Sequence, residues 1–257
     1  MNAAHPISAD RVVDGYRHRV ALARAEARPV LPALLPAALA GEEEVVEFPC
    51  GVGHFLTAYA QAKVRVRLVD GSAPMLAEAI RRARDAGVAE LGVGHHLLHA
   101  LPALPAAGLM VVANGAFDQL AAPTGPAAVL ARLREAVPTN ARLLLQAVDP
   151  DGGGTAFYTP SLPEGVWSHD HIFTTPGGRT VARHRRQHHT PDRSRVDIEF
   201  TYTTGLSSTP VLTARVSLIL SSPDRVRSAA ATAGWRPVTR ARHAGFAELL
   251  LEAGEVR

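Results

Sequence analysis

Lysine and cysteine are nearly absent from this chain: Lys63 is its only lysine and Cys50 its only cysteine. A lone cysteine excludes an internal disulfide and fits a reducing, cytoplasmic setting. Aromatic residues make up 5% of the chain, and none interleaves the basic run "ARHRRQHH" as base stacking would need. Excess charge is small as well, with 27 Lys and Arg against 24 Asp and Glu and a formal net charge of +3. That balance gives no ground for a nucleic-acid partner. No apolar run is long enough to cross a membrane as a helix. The opening "MNAAHPISAD" lacks the basic-then-apolar order of a signal peptide. What remains is a chain of 257 residues, 47% hydrophobic, able to bury one sizeable α/β core with room for an insertion.

Residues 11–40 carry apolar positions at helical spacing, and Pro29, Pro32 and Pro36 divide them into two short helices. "EVVEF" reads as a covered strand and "GHFLTAYAQAK" as the helix after it. "VRVRLVD" is a second strand, ending on Asp70. "SAPMLAEAIRRARDAG" is a helix with Ser72 as its cap, Pro74 in its first turn and Gly87 as its stop. The runs "GLMVVANGAF" and "ARLLLQAVDP" flank the helix pattern "PAAVLARLREAV". Such alternation predicts a parallel sheet covered on both faces, up to a joint at "DPDGGGT". From about residue 166 to 220 the pattern becomes alternating strands with tight turns, an antiparallel meander whose apolar face holds Val196, Ile198, Phe200 and Tyr202. Its basic run forms a cross-strand ladder, with Arg183, Arg185 and Arg186 beside Asp197 and Glu199. A helix capped by Ser222 and stopped by Gly234, then two strands, complete the chain. The expected organisation is a helical lid (1–40), a Rossmann-like core (41–150), an inserted sheet over the active site (156–220) and a C-terminal return to the core (221–257).

"VVEFPCGVGHF" places Gly51 and Gly53 where a strand ends and a helix opens. Glycines there let a ligand approach the backbone, and free N–H groups at the helix start favour an anion. An acid at the end of the next strand, here Asp70, is where such folds bind ribose hydroxyls.

Together these residues resemble the class I S-adenosylmethionine-dependent methyltransferases. Their first motif is matched from Val46 to Gly53, with Pro49 in place of the first glycine. "VDGSAPMLAEAIRRA" is similar to their second motif. The inserted meander, "PGGRTVARHRRQHHTPDRSRVDIEFTY", resembles the small-molecule branch that includes glycine and amino-sugar N-methyltransferases. The resemblance implies S-adenosylmethionine as cofactor, with Asp70 on both ribose hydroxyls, Met75 near adenine and the glycine loop, supported by Glu47, against the methionine half. The implied contact set is Tyr16, Glu47, Cys50, Gly51, Gly53, Asp70, Gly71, Met75, His96, Leu97, Asn114 and Phe117. Tyr16 resembles the family's N-terminal tyrosine that closes over the methionine carboxylate. The family's usual adenine-binding acid is missing from "GHHLLHALP", which leaves a backbone carbonyl or an imidazole among His95, His96 and His99. Catalytic candidates around the mouth are Tyr16, Asn114, Trp167, His169 and Tyr202, with Tyr158 beside them.

The expected reaction is methylation of a small amine, or of an activated oxygen or carbon nucleophile, in secondary metabolism. An aromatic, histidine-lined mouth suits a cationic or amine substrate. Two alternatives use the same cofactor: cyclisation to azetidine-2-carboxylate with release of methylthioadenosine, and binding without catalysis. Twelve histidines invite a metal, yet no spacing closes a ligand set and none is expected. Homodimerisation through the inserted sheet is a further expectation of the resemblance.

Overall fold

The computed structural model describes residues 30–153, 158–174, 178–204, 210 and 212–254. Residues 1–29, with the first expected helix and Tyr16, lie outside these, as do the ends of the joint and of several loops.

Among the described residues, eleven strands form two sheets. The larger contains β1 (Glu44–Glu47), β2 (Arg65–Asp70), β3 (Leu91–His95), β4 (Leu109–Val112), β5 (Arg142–Val148), β10 (Trp235–His243) and β11 (Phe246–Ala253). Their order is β10-β11-β5-β4-β1-β2-β3, parallel from β3 to β5 and antiparallel at β11 and β10. Strand alternation sends successive side chains to opposite faces, and here both faces are apolar. One face presents Val46, Met110, Val112, Leu143, Leu145 and Leu249. It is covered by α4 (Ala116–Ala121), α5 (Pro126–Ala136) and α6 (Pro223–Thr232). The other presents Val45, Leu109, Val111, Leu144 and Leu250 under α1 (Leu35–Leu39), α2 (Leu56–Ala62) and α3 (Ala73–Asp85). Trp235 closes the first layer, donating its indole N–H to the carbonyl of Leu130 at 2.9 Å.

Ser222 caps α6 as read from the sequence, its hydroxyl accepting from the N–H of Arg225 at 3.3 Å. Ser72 occupies the corresponding position of α3 but its hydroxyl caps nothing. The nearby carboxylate of Asp70 takes the Ser72 N–H instead. Helix α2 begins later than its sequence pattern, at Leu56, because the glycine turn consumes the residues before it.

The second sheet is the meander β6 (Ser168–Thr174), β7 (Thr180–His189), β8 (Arg195–Thr204) and β9 (Leu212–Ile219). Val196, Ile198, Phe200 and Tyr202 are all buried, packed with Val148 at the end of β5 and Phe246 at the start of β11. The charge ladder holds at one rung, where Arg186 faces Glu199. Arg183 and Arg185 depart from it. Their register sets them opposite Tyr202 and Phe200 on the inner face, where the buried carboxylate of Asp170 on β6 pairs with both. Two guanidiniums entering an apolar layer need a buried acid, and the expected partners sit on the opposite face. No helix among the described residues is long and apolar enough to cross a membrane.

Candidate functional site

At the carboxyl ends of β1, β2 and β4 the backbone opens into a cavity of ≈ 440 Å³. The glycine loop forms its floor. Cys50 N–H donates to Val69 O at 2.9 Å, stitching the loop to β2, and Gly53 N–H turns back to Cys50 O at 2.9 Å. Gly51 and Gly53 have φ of +53° and +70°, a region that side-chain-bearing residues enter at a cost. A Cβ on Gly53 would also come within 2.5 Å of the Leu56 side chain.

Asp70 fastens this loop to the next. Its Oδ2 accepts the Gly51 N–H and its Oδ1 the Ser72 N–H, both at 2.8 Å. Each carboxylate oxygen keeps acceptor capacity for a second donor, and Asp70 lines the cavity. Around it lie Gly71, Ser72, Met75, His96 and Leu97. His96 is positioned by its N–H bond to Asp70 O at 3.0 Å. His95 is turned aside, its Nε2 within 3.0 Å of the Gly71 carbonyl.

Three buried polar atoms of the lining have no hydrogen-bond partner among the described residues: Glu47 Oε2, His54 Nδ1 and Ser72 Oγ. Burial chiefly raises the Glu47 carboxyl to about 8, against smaller opposing effects of Tyr59 and Arg82. The Tyr59 hydroxyl favours the carboxylate from nearby without completing a well-formed hydrogen bond. Burial, helped by Arg82, lowers His54 to about 4, so this imidazole is neutral. Arg82 itself donates to Val52 O at 3.0 Å beneath the loop. Unpaired polar atoms in a buried wall cost stability unless something occupies the space they face.

Cys50 also lines the cavity, but burial, followed by the charges of Glu47 and Asp70, pushes its thiol far above the usual range. A thiol reagent should therefore leave the native protein unmodified and titrate one group per chain in denaturant; rapid native labelling would contradict this assignment.

Opposite the glycine loop, Asn114 and Gly115 form a left-handed pair with φ of +56° and +73°. This pair ends β4 and opens α4, whose Ala116, Gln119 and Leu120 complete the wall. The cavity thus gathers Glu47, Cys50, Gly51, Asp70, Gly71, Met75, His96, Leu97 and Asn114 of the residues singled out in the sequence. Gly53 shapes the loop from below, and Phe117 is buried in the core layer behind the wall. Tyr202 and Tyr158 are buried under the inserted sheet, with the Tyr158 ring edge-on to His189.

Trp167 and His169 stand away from the cavity. Arg186 stacks on the Trp167 ring at 4.8 Å and His169 meets the His184 ring at 5.5 Å. Strand alternation puts Arg186 and His184 on the outer, polar face of the sheet, opposite Phe200, and the two candidates follow them there. Phe48, His54, Ser72 and Gln119 enter the lining without having been singled out for it, Ser72 having been read only as a helix cap. For His54 a signal existed: it directly follows the second glycine of the loop. Among the described residues no three His, Cys, Asp or Glu side chains group as a metal site.

No protein-family model and no curated protein matches the sequence. Solved structures do match. The CcbJ methyltransferase from Streptomyces caelestis superposes with a TM-score of 0.67 at 17% identity, over 87% of this chain and 88% of that one. CalS10, an amino pentose methyltransferase from Micromonospora echinaspora involved in calicheamicin biosynthesis, was solved with S-adenosylmethionine bound. It covers 98% of this chain and 100% of its own at 16% identity and a TM-score of 0.62. The sugar N-methyltransferase KedS8 from Streptoalloteichus gives 0.63 at 16% identity, over 99% and 96% of the two chains.

Proposed function

We propose that this chain, which has the fold of the class I S-adenosylmethionine-dependent methyltransferases, binds that cofactor and methylates a small metabolite. The single observation carrying this reading is the Asp70 carboxylate, held between the Gly51 and Ser72 N–H groups and open to a cavity whose lining holds unpaired polar atoms. The chemistry of the lining fits the cofactor part by part. Two vicinal hydroxyls suit the free acceptor positions of Asp70. Met75, Leu97 and the His96 ring offer an apolar slot for adenine. Glu47 Oε2 is an acceptor for an α-ammonium group.

When bound, S-adenosylmethionine supplies a methyl group on a positively charged sulfur, which leaves as a neutral thioether and needs no acid. The chain's task is to hold an acceptor lone pair in line with that carbon; orientation of this kind can supply most of the lowering of the barrier. Asn114 and Gln119, opposite the glycine loop, are positioned to orient the acceptor. Its proton leaves to water or to a base once the new bond forms. The acceptor class we favour is an amine of secondary metabolism, in keeping with the amino pentose and sugar N-methyltransferases among the structural neighbours and with the inserted sheet.

Incubating the pure protein with S-adenosylmethionine alone, then with a panel of amines, tests the reading. The expected results are stabilisation by S-adenosylhomocysteine, no turnover without acceptor, and a product heavier by one methyl group in mass spectrometry. Methylthioadenosine forming faster than in an enzyme-free control, together with a ring-closed amino acid, would overturn methyl transfer. Absence of any thermal shift would overturn cofactor binding itself.

A further inference from the structure

A polar pair lies within the buried, mostly apolar stretches of strands β5 and β11, on the sheet face covered by α1. Gln146 and Glu248 are adjacent in register, and neither side chain reaches solvent. Gln146 Oε1 accepts the backbone N–H of Asn114 at 3.0 Å, and its Nε2 donates to Glu248 Oε1 at 2.9 Å. The Glu248 carboxylate also accepts the N–H groups of Ala33 and Leu34, each at 3.0 Å. These two residues bring the chain into α1, and Val30 just before them packs against the buried layer of the inserted sheet.

We infer that Gln146 and Glu248 are positioning residues, a buried latch that couples the seating of the chain before α1 to the orientation of the Asn114 turn in the cavity wall. The inference rests on the reading of the cavity as the cofactor site. Its physical basis is directional. Asn114 has a left-handed backbone at the end of β4, and among the described residues its N–H is taken by Gln146 Oε1 rather than by a helix or strand. That oxygen is aimed correctly while the amide nitrogen is engaged by Glu248. Glu248 in turn has two oxygens and three donors, and a carboxylate left short of them would be a buried, undersatisfied charge. Neither end of the relay can be released without weakening the other. A pair serving the sheet alone would need no connection to the two loops.

Exchanging the two side chain types provides the test. Glu248→Gln leaves one acceptor oxygen for three donors: placed at Oε1 it serves Gln146 and Ala33 and turns an amide N–H towards Leu34, and turned over it keeps Leu34 and releases both Gln146 and Ala33. Gln146→Glu brings two carboxylates together. The double variant restores the match across the pair and at Asn114 and Leu34, and leaves only the Ala33 N–H without its acceptor. The amide introduced on β11 accepts from Leu34 and donates to the carboxylate introduced on β5, which accepts from Asn114; its nitrogen stands where the oxygen shared by Ala33 and Gln146 was. Hydrogen exchange without ligand should rise by about ten-fold in Glu248→Gln in two separate peptides, one spanning residues 30–36 and one spanning 112–118, and in the double variant fall back fully in the second and in part in the first, where Ala33 stays unpaired. Calorimetry should show S-adenosylhomocysteine affinity reduced by roughly ten-fold in each single variant and recovered to within about three-fold in the double. Exchange confined to one peptide, or rescue of thermal stability without rescue of affinity, would overturn the coupling. Failure of the wild-type protein to bind S-adenosylhomocysteine would sink the functional reading alone, because the exchange experiment tests the latch without any ligand.

Discussion

Asp70→Ala is expected to lower S-adenosylhomocysteine affinity by about 100- to 1,000-fold, measured by calorimetry against the wild-type protein. A hydrogen bond to a charged acceptor contributes ~1.5–3 kcal/mol, and Asp70 has room for one such bond from each ribose hydroxyl. The same carboxylate holds the Gly51 and Ser72 N–H groups at 2.8 Å, so its loss also frees the two loops that shape the cavity. Asp70→Asn should weaken binding nearly as much, because its amide nitrogen would turn a donor towards either a backbone N–H or a hydroxyl. A circular dichroism spectrum unchanged by either substitution would show that the sheet survives. Affinity within a few-fold of wild type in both variants would remove Asp70 from the site and leave the cavity without its principal anchor.

The parallel core was legible because its code is local. "EVVEF", "VRVRLVD" and "ARLLLQAV" are apolar runs too short for helices; the first two are followed, and the third preceded, by a helical pattern with a proline or glycine at its boundary. The glycine loop and Asp70 were equally legible, since a turn with left-handed backbone and a strand-terminal acid are set by neighbours in sequence. What escaped the sequence depends on register. Which face of the meander Trp167 and His169 would share is set by pairing with His184 and Arg186, and that pairing is fixed by turns and packing far along the chain. The same holds for Arg183 and Arg185, whose partner Asp170 lies on a strand whose pairing is irregular between His169 and His171. Gln146 and Glu248 did leave a trace, as polar residues inside "LLLQAV" and "AELLLE". A polar residue in a doubly covered strand requires a partner across the sheet, but the sequence does not say where that partner is.

Glu47→Gln should abolish a fall in stability with pH that Glu47 contributes to the wild-type protein between about 4.5 and 8. The folded carboxyl is raised to about 8 from an ordinary value of 4.5, mainly by burial. Over that interval the native state holds a proton that the unfolded chain has released. Raising the pH therefore favours unfolding: the stability is fully present below about 4.5 and is lost as pH climbs through the folded value. A shift of this size corresponds to ~3–5 kcal/mol, enough to move denaturation midpoints plainly. His54 works in the opposite sense over an overlapping range. Its folded value of about 4 lies below the ordinary 6.5, so its contribution is lost as pH falls between these values. It offsets the Glu47 slope below about 6.5, and the net fall of the wild type is plainest between about 6.5 and 8. Glu47→Gln leaves the His54 part of the profile in place. Ligand binding should show the converse of the Glu47 effect. An α-ammonium beside Oε2 favours the ionised form, so S-adenosylhomocysteine should bind more tightly as pH rises from about 6 to 8 and release a proton as it does so. That release can be read as a dependence of the calorimetric enthalpy on the ionisation heat of the buffer. The dependence should vanish in Glu47→Gln; its persistence there would assign the proton to another group and leave Glu47 as a purely structural acid beneath the glycine loop.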